Sequence, residues 1–140
     1  MLRLFPLLLI AVIAYNLVAF GVGVTHHDAY ATLNSAFTIH MFSGDTWRFS
    51  IGDMLVTFTL LLLFVEIVKS TRTSSRQLVN HGLSVLTFIV ALVEFITLHG
   101  FATTTFFLII VMTLIDVVAG YTISVIAAEH DLHVRPTVGE

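Results

Sequence analysis

The chain contains no cysteine. That excludes disulfides, thiolate metal sites and cysteine nucleophiles together. Charge is nearly as scarce: Asp, Glu, Lys and Arg make up 11% of 140 residues, where a soluble domain carries about 25%. The net charge of -3 comes from few groups and leaves no basic surface, which argues against a nucleic-acid partner. There is no helical HExxH, no Ser-His-Asp arrangement in a recognisable context, and no glycine loop shaped to cradle phosphate. Neither an internal repeat nor a low-complexity run is present. No enzymatic activity and no cofactor are expected.

What fills the chain is apolar: 57% of it is hydrophobic. A domain of this length cannot bury that much apolar surface in its own core, so a lipid bilayer is the expected solvent for much of it. Hydropathy predicts an all-α, four-helix transmembrane bundle over residues 1–128, with spans Leu4–Val24, Ile51–Lys69, Leu78–Leu98 and Thr104–Ala127. A polar tail follows over 129–140. The first span has the Arg3-then-apolar start of a signal peptide, but its run exceeds the ~7–15 residues of a signal core and is read as an anchor. Ser74 and Gln77 have capping-box spacing before the third span. His99-Gly100 suits its end, and Thr103 suits the start of the fourth.

Orientation follows from the cations. Lys69, Arg72 and Arg76 sit between the second and third spans, whereas the first loop has only Arg48 and the last turn none. The positive-inside rule places that basic turn and both termini in the cytoplasm. The outer loop, 25–50, carries Tyr30, Leu33, Phe37 and Met41 at helical spacing, which predicts a short amphipathic helix on the membrane surface. Trp47 and Tyr30 belong at that outer interface.

Against this background the polar residues inside the spans stand out. Glu66, Glu94 and Asp116 lie well inside apolar runs, where an ionised side chain costs at least ~2.5–3.5 kcal/mol. His81, Ser84, Thr87, Ala91 and Glu94 share one face of the third span, and Thr105, Thr113, Asp116, Gly120 and Ser124 one face of the fourth. Thr59 and Glu66 share a face of the second, with Asp53 on its opposite side; Asn16 sits midway along the first. At ~1.5 Å per residue, Glu66 and His81 fall on the cytoplasmic side, Asp116 and Asn16 near the midplane, Glu94 outward, and Asp53 with His99 at the outer end.

Such groups face one another or a second copy. One reading makes them interhelical ties, Glu66 to His81 and Asp116 to Asn16. The other makes Glu66, Asp116 and Glu94 a proton or cation relay, with waters, Ser84, Thr87 or Thr113 bridging the gaps. Lys69, three residues after Glu66, is expected to snorkel to the cytoplasm. Gly120 and Ser124 form a small-residue stripe that permits close helix approach, and a homo-oligomer or larger membrane complex is expected from it. Two further constellations are weaker. His26, His27, Asp28 and His40 of the outer loop offer imidazole and carboxylate to a metal. His81 and His99 stand ~27 Å apart, as for two haems, but no histidine elsewhere in the spans supplies a second axial ligand.

This layout resembles the small bacterial phosphate-starvation-inducible E (PsiE-type) membrane proteins. The likeness lies in length, four spans, a loop helix after the first, and a second span ending Phe64-Val65-Glu66-Ile67-Val68-Lys69 before a short basic turn. It implies an inner-membrane topology of the kind read above. The function expected is that of a small non-enzymatic membrane component, accessory or self-associating; the relay is the alternative.

Overall fold

The computed structural model describes residues 5–21, 28–71 and 77–134. In chain order it contains α1 (Leu7–Gly21), α2 (Asp28–Asn34), strands β1 (Ala36–His40) and β2 (Thr46–Ser50), then α3 (Ile51–Ser70), α4 (Gln77–Thr97) and α5 (Thr104–Val134). Helix α5 packs chiefly on α3 and α4, and α1 packs on α3.

Among the described residues three helices, not four, are long and apolar enough to cross a membrane, over Ile51–Ser70, Val79–Thr97 and Thr104–Ile126. The first expected span is the correction. Helix α1 is apolar but has 15 residues, which at ~1.5 Å each reach about 22 Å, short of the ~30 Å hydrocarbon thickness. Helix α5 departs in the other direction, running to Val134 beyond the Ala127 at which the fourth span was expected to end.

The three long helices bury polar residues and leave large apolar ones exposed. On α3 the buried residues are Gly52, Thr59, Leu63 and Glu66, whereas Phe58, Leu61 and Phe64 are exposed. On α4 the buried set is Ser84, Thr87 and Ala91, and on α5 it includes Thr113 and Asp116. Polar groups turn inward alongside a buried apolar cluster, while other large apolar groups face outward, an arrangement suited to hydrocarbon as solvent. Of the shared faces read from the sequence, Thr59, Glu66, Ser84, Thr87, Ala91, Thr113 and Asp116 are buried, and His81, Glu94, Thr105, Gly120 and Ser124 are half-buried.

The outer loop differs from expectation. Of its described residues Asp28–Asn34 alone are helical, with Leu33 buried; Phe37 and Met41 belong instead to an antiparallel hairpin. Phe37, Ile39, Trp47 and Phe49 alternate with Thr38, His40, Thr46 and Arg48, a period of two that favours strands. The turn is closed by Gly44 N–H donating to Met41 O at 3.1 Å and by Met41 N–H donating to Asp45 O at 2.9 Å. Gly44 adopts φ 92°, a conformation glycine takes without steric cost.

The hairpin runs into α3 without a linker. Ser50 ends β2 and caps the helix: Asp53 N–H donates to Ser50 Oγ at 3.1 Å, and Ser50 N–H donates to Asp53 Oδ2 at 2.9 Å. This reciprocal capping box satisfies two orphan helix donors. One residue later the backbone of α3 meets its neighbours closely. A Cβ at Gly52 would stand 2.6 Å from Thr105 Oγ1 and 3.3 Å from the Leu33 carbonyl oxygen. Gly52→Ala is therefore expected to lower stability by about 1–2 kcal/mol despite alanine's better helix propensity. Thermal unfolding in detergent checks this, with Thr105→Ala added to Gly52→Ala restoring part of the loss; a gain in stability from Gly52→Ala alone would contradict the close approach.

Candidate functional site

The polar residues of the apolar helices form two separated groups, inner and outer by the orientation expected from the cations. The inner group centres on Glu66, fully buried on α3. Pro6 precedes α1 and has no side-chain oxygen with which to cap it, so the first free N–H of that helix needs an acceptor from elsewhere. Glu66 supplies it: Leu7 N–H donates to Oε2 at 3.2 Å. A carboxylate at a helix N-terminus is also favoured by the helix dipole. Lys69 Nζ lies 2.9 Å from each oxygen of Glu66 and donates to the Phe5 carbonyl at 3.0 Å. Asn80 of α4 completes the set, its Nδ2 donating to Oε1 at 2.8 Å. One acid thus joins α1, α3 and α4.

This arrangement corrects two expectations. Glu66 is tied to Lys69, Asn80 and the α1 backbone rather than to His81. Lys69 does not leave the acid for the cytoplasm, because the Glu66 carboxylate and the Phe5 carbonyl together hold its ammonium. Neither Asn80 nor the α1 start was legible as a partner. The only sequence signal was the Glu66–Lys69 spacing of three, which puts the two side chains on neighbouring positions of a helix.

Asp116, buried on α5, faces Ser84 of α4, with Glu66, Lys69 and His81 within electrostatic reach. It does not meet Asn16. His81 packs its ring on Gly120, where an added Cβ would lie 2.9 Å from Nδ1. Gly120 therefore serves contact between α4 and α5 within the chain, and Ser124 Oγ donates to the Gly120 carbonyl of its own helix at 2.8 Å.

The outer group is built on α1. Asn16 Nδ2 donates to Glu94 Oε2 and to the Val12 carbonyl, both at 3.0 Å. Beside it, buried Tyr15 packs against Phe101 and Phe106, with ring centroids 5.3 and 4.4 Å away. Its hydroxyl lies 2.6 Å from Thr103 Oγ1 and donates to the Gly100 carbonyl at 3.1 Å. Thr103 in turn caps α5, accepting from Phe106 N–H at 3.2 Å, and Gly100 has φ 87°. Both end signals read for this turn are present.

Between the groups lies an apolar layer of Ala11, Val12, Ala91, Ile109 and Ile110. The hydroxyls nearest to bridging it are turned onto their own helices: Thr87 donates to Leu83 O at 2.8 Å and Thr113 to Ile110 O at 2.7 Å.

The remaining candidates fall outside both groups. Asp53 is exposed and occupied in the α3 capping box. His99 is exposed in the α4–α5 turn. Among the outer-loop histidines, His40 lies exposed on β1, while His26, His27 and the side chain of Asp28 lie outside the described residues. Among the described residues no three His, Asp or Glu side chains gather to hold a metal. No protein-family model, no curated protein and no solved structure matches this chain.

Proposed function

We propose that the chain is a small non-enzymatic component of a bacterial inner membrane, with both termini cytoplasmic, acting as an accessory or self-associating partner of other membrane proteins. Its buried acids are ties between helices. The observation that carries this reading is the saturation of Glu66, whose two oxygens are taken by donors from three helices. A carboxylate used in transport must be released to exchange its proton or ion, and four short contacts oppose that.

The relay through Glu66, Asp116 and Glu94 is the second reading. What favours it is the inner group: Asp116 lies near Glu66, Lys69 and His81, and Asn80 Oδ1 is buried without a hydrogen-bond partner among the described residues. What opposes it is the apolar layer. Ser84 and Glu94 are ten residues apart on α4, about 15 Å at helical rise, while hydrogen bonds span only ~3 Å.

Liposomes loaded with a pH-sensitive dye separate the two. After an imposed pH step, vesicles holding the chain are expected to equilibrate no faster than protein-free vesicles. Faster equilibration that disappears in Asp116→Asn would establish the relay instead.

A further inference from the structure

The β1–β2 hairpin has two chemically distinct faces. Its register pairs Phe37 with Phe49 and Ile39 with Trp47, so these four side chains share one face. The pairs that alternate with them, Thr38 with Arg48 and His40 with Thr46, put hydroxyl, imidazole and guanidinium on the other. The apolar face is uncovered by the described chain: Phe37 is 66% exposed, Ile39 47% and Trp47 50%, and Phe42 at the tip is fully exposed. A lone two-stranded hairpin is at best marginally stable in water, so a face of this kind needs a surface beneath it.

We propose that this surface is the bilayer, and that the hairpin lies along its outer headgroup zone with the Phe37–Ile39–Trp47–Phe49 face on the acyl chains. The proposal rests on α3 being a membrane span. Continuity decides the occupant. Ser50 is at once the last residue of β2 and the N-cap of α3, and Ile51 N–H donates to Ser35 O at 2.9 Å. The hairpin is therefore fixed to the end of the span, with no linker to carry it away. Along α3 itself, Met54, Phe58 and Leu61 are exposed apolar residues as well.

Backbone chemistry sets the depth. A two-stranded ribbon leaves unpaired N–H and C=O groups along both outer edges, which hydrocarbon cannot satisfy and headgroups with water can. Arg48 and His40 on the upper face are placed for lipid phosphates, and an indole is well suited to that boundary.

Trp47 is the only tryptophan in the chain, so the test needs no substitution. The full chain is reconstituted into phosphatidylcholine–phosphatidylglycerol liposomes whose acyl chains carry bromine either near the headgroup or near the methyl end. The shallow bromine is expected to remove roughly half of the Trp47 emission and the deep one far less, with weak quenching by iodide, as befits an interfacial indole. Emission untouched by either bromine and strongly quenched by iodide would overturn the proposal, placing the face in water. Insensitivity to both quenchers would equally overturn it, in favour of a second copy or another protein segment over the face. If the chain fails to float with liposomes, the membrane reading falls as well, and the flotation step reports that separately.

Discussion

Replacing Lys69 by Met is expected to lower the unfolding free energy by about 3 kcal/mol, the low end of what breaking a buried ion pair costs. The effect is large because the two partners are unequally placed: the Glu66 side chain is 0% exposed, whereas that of Lys69 is 23% exposed. Removing the cation leaves the buried Glu66 carboxylate without the ammonium that balances it, and it also frees the Phe5 carbonyl that Lys69 holds. The partial exposure of Lys69 keeps the value from rising further, since solvent already screens its end of the pair. The mechanism has a signature beyond lost stability. Glu66→Gln in the Lys69→Met background removes the unpaired charge while keeping an oxygen for Leu7 N–H or Asn80, so the double variant is expected to recover most of the loss. Reversible unfolding in mixed micelles measures both. A Lys69→Met chain within about 1 kcal/mol of the parent would show that the pair is solvated like a surface one, whose typical worth is 0–1 kcal/mol. A double variant no better than Lys69→Met would assign the loss to lost packing of the lysine stem instead.

The polar faces of α3, α4 and α5 were legible because helical spacing alone decides which residues share a face; Thr59 with Glu66, and Ser84 with Thr87 and Ala91, needed no coordinates. The partners were not legible. Pairing between helices depends on axial stagger and rotation, and here the stagger is set where α1 begins, at a backbone N–H that no side-chain inventory includes. Asn16 sits one turn beyond Val12 and reaches Glu94 rather than Asp116, a difference of axial stagger that hydropathy cannot resolve. The hairpin was missed for a different reason. Tyr30, Leu33, Phe37 and Met41 satisfy a helical period by coincidence, while Phe37, Ile39, Trp47 and Phe49 satisfy a strand period around the turn Ser43-Gly44-Asp45. The turn residues were the deciding signal, since a glycine at positive φ closes a hairpin and a surface helix has no use for it there.

Tyr15→Ala is the second large effect expected, and its size depends on the solvent of the bundle. Tyr15 is fully buried among Phe101 and Phe106, and its hydroxyl links the α4–α5 turn to the cap of α5 through Gly100 and Thr103. In a water-soluble protein, truncating such an aromatic costs about 3–5 kcal/mol, part of it transfer of the ring out of water and part the cavity left behind. When the separated helices stay in lipid, the ring is already in an apolar medium, and the transfer part largely disappears. What is left is a cavity on the order of 100 Å³, worth about 2 kcal/mol at ~24 cal/mol per Å³. The two hydrogen bonds add about 1 kcal/mol. Tyr15→Ala is thus expected to cost about 3 kcal/mol in bicelles, with Tyr15→Phe accounting for about a third of that. Steric-trap unfolding in bicelles, where the unfolded chain stays in the membrane, gives both values. A Tyr15→Phe loss equal to that of Tyr15→Ala would mean that the ring packs against nothing rigid. A Tyr15→Ala loss well above 3 kcal/mol would mean that the unfolded reference exposes position 15 to water, so that α1 separates from the bilayer when it leaves α3. A 15-residue helix held by Glu66 at one end and Tyr15 and Asn16 at the other is the segment of this chain for which that outcome is physically distinct from the rest.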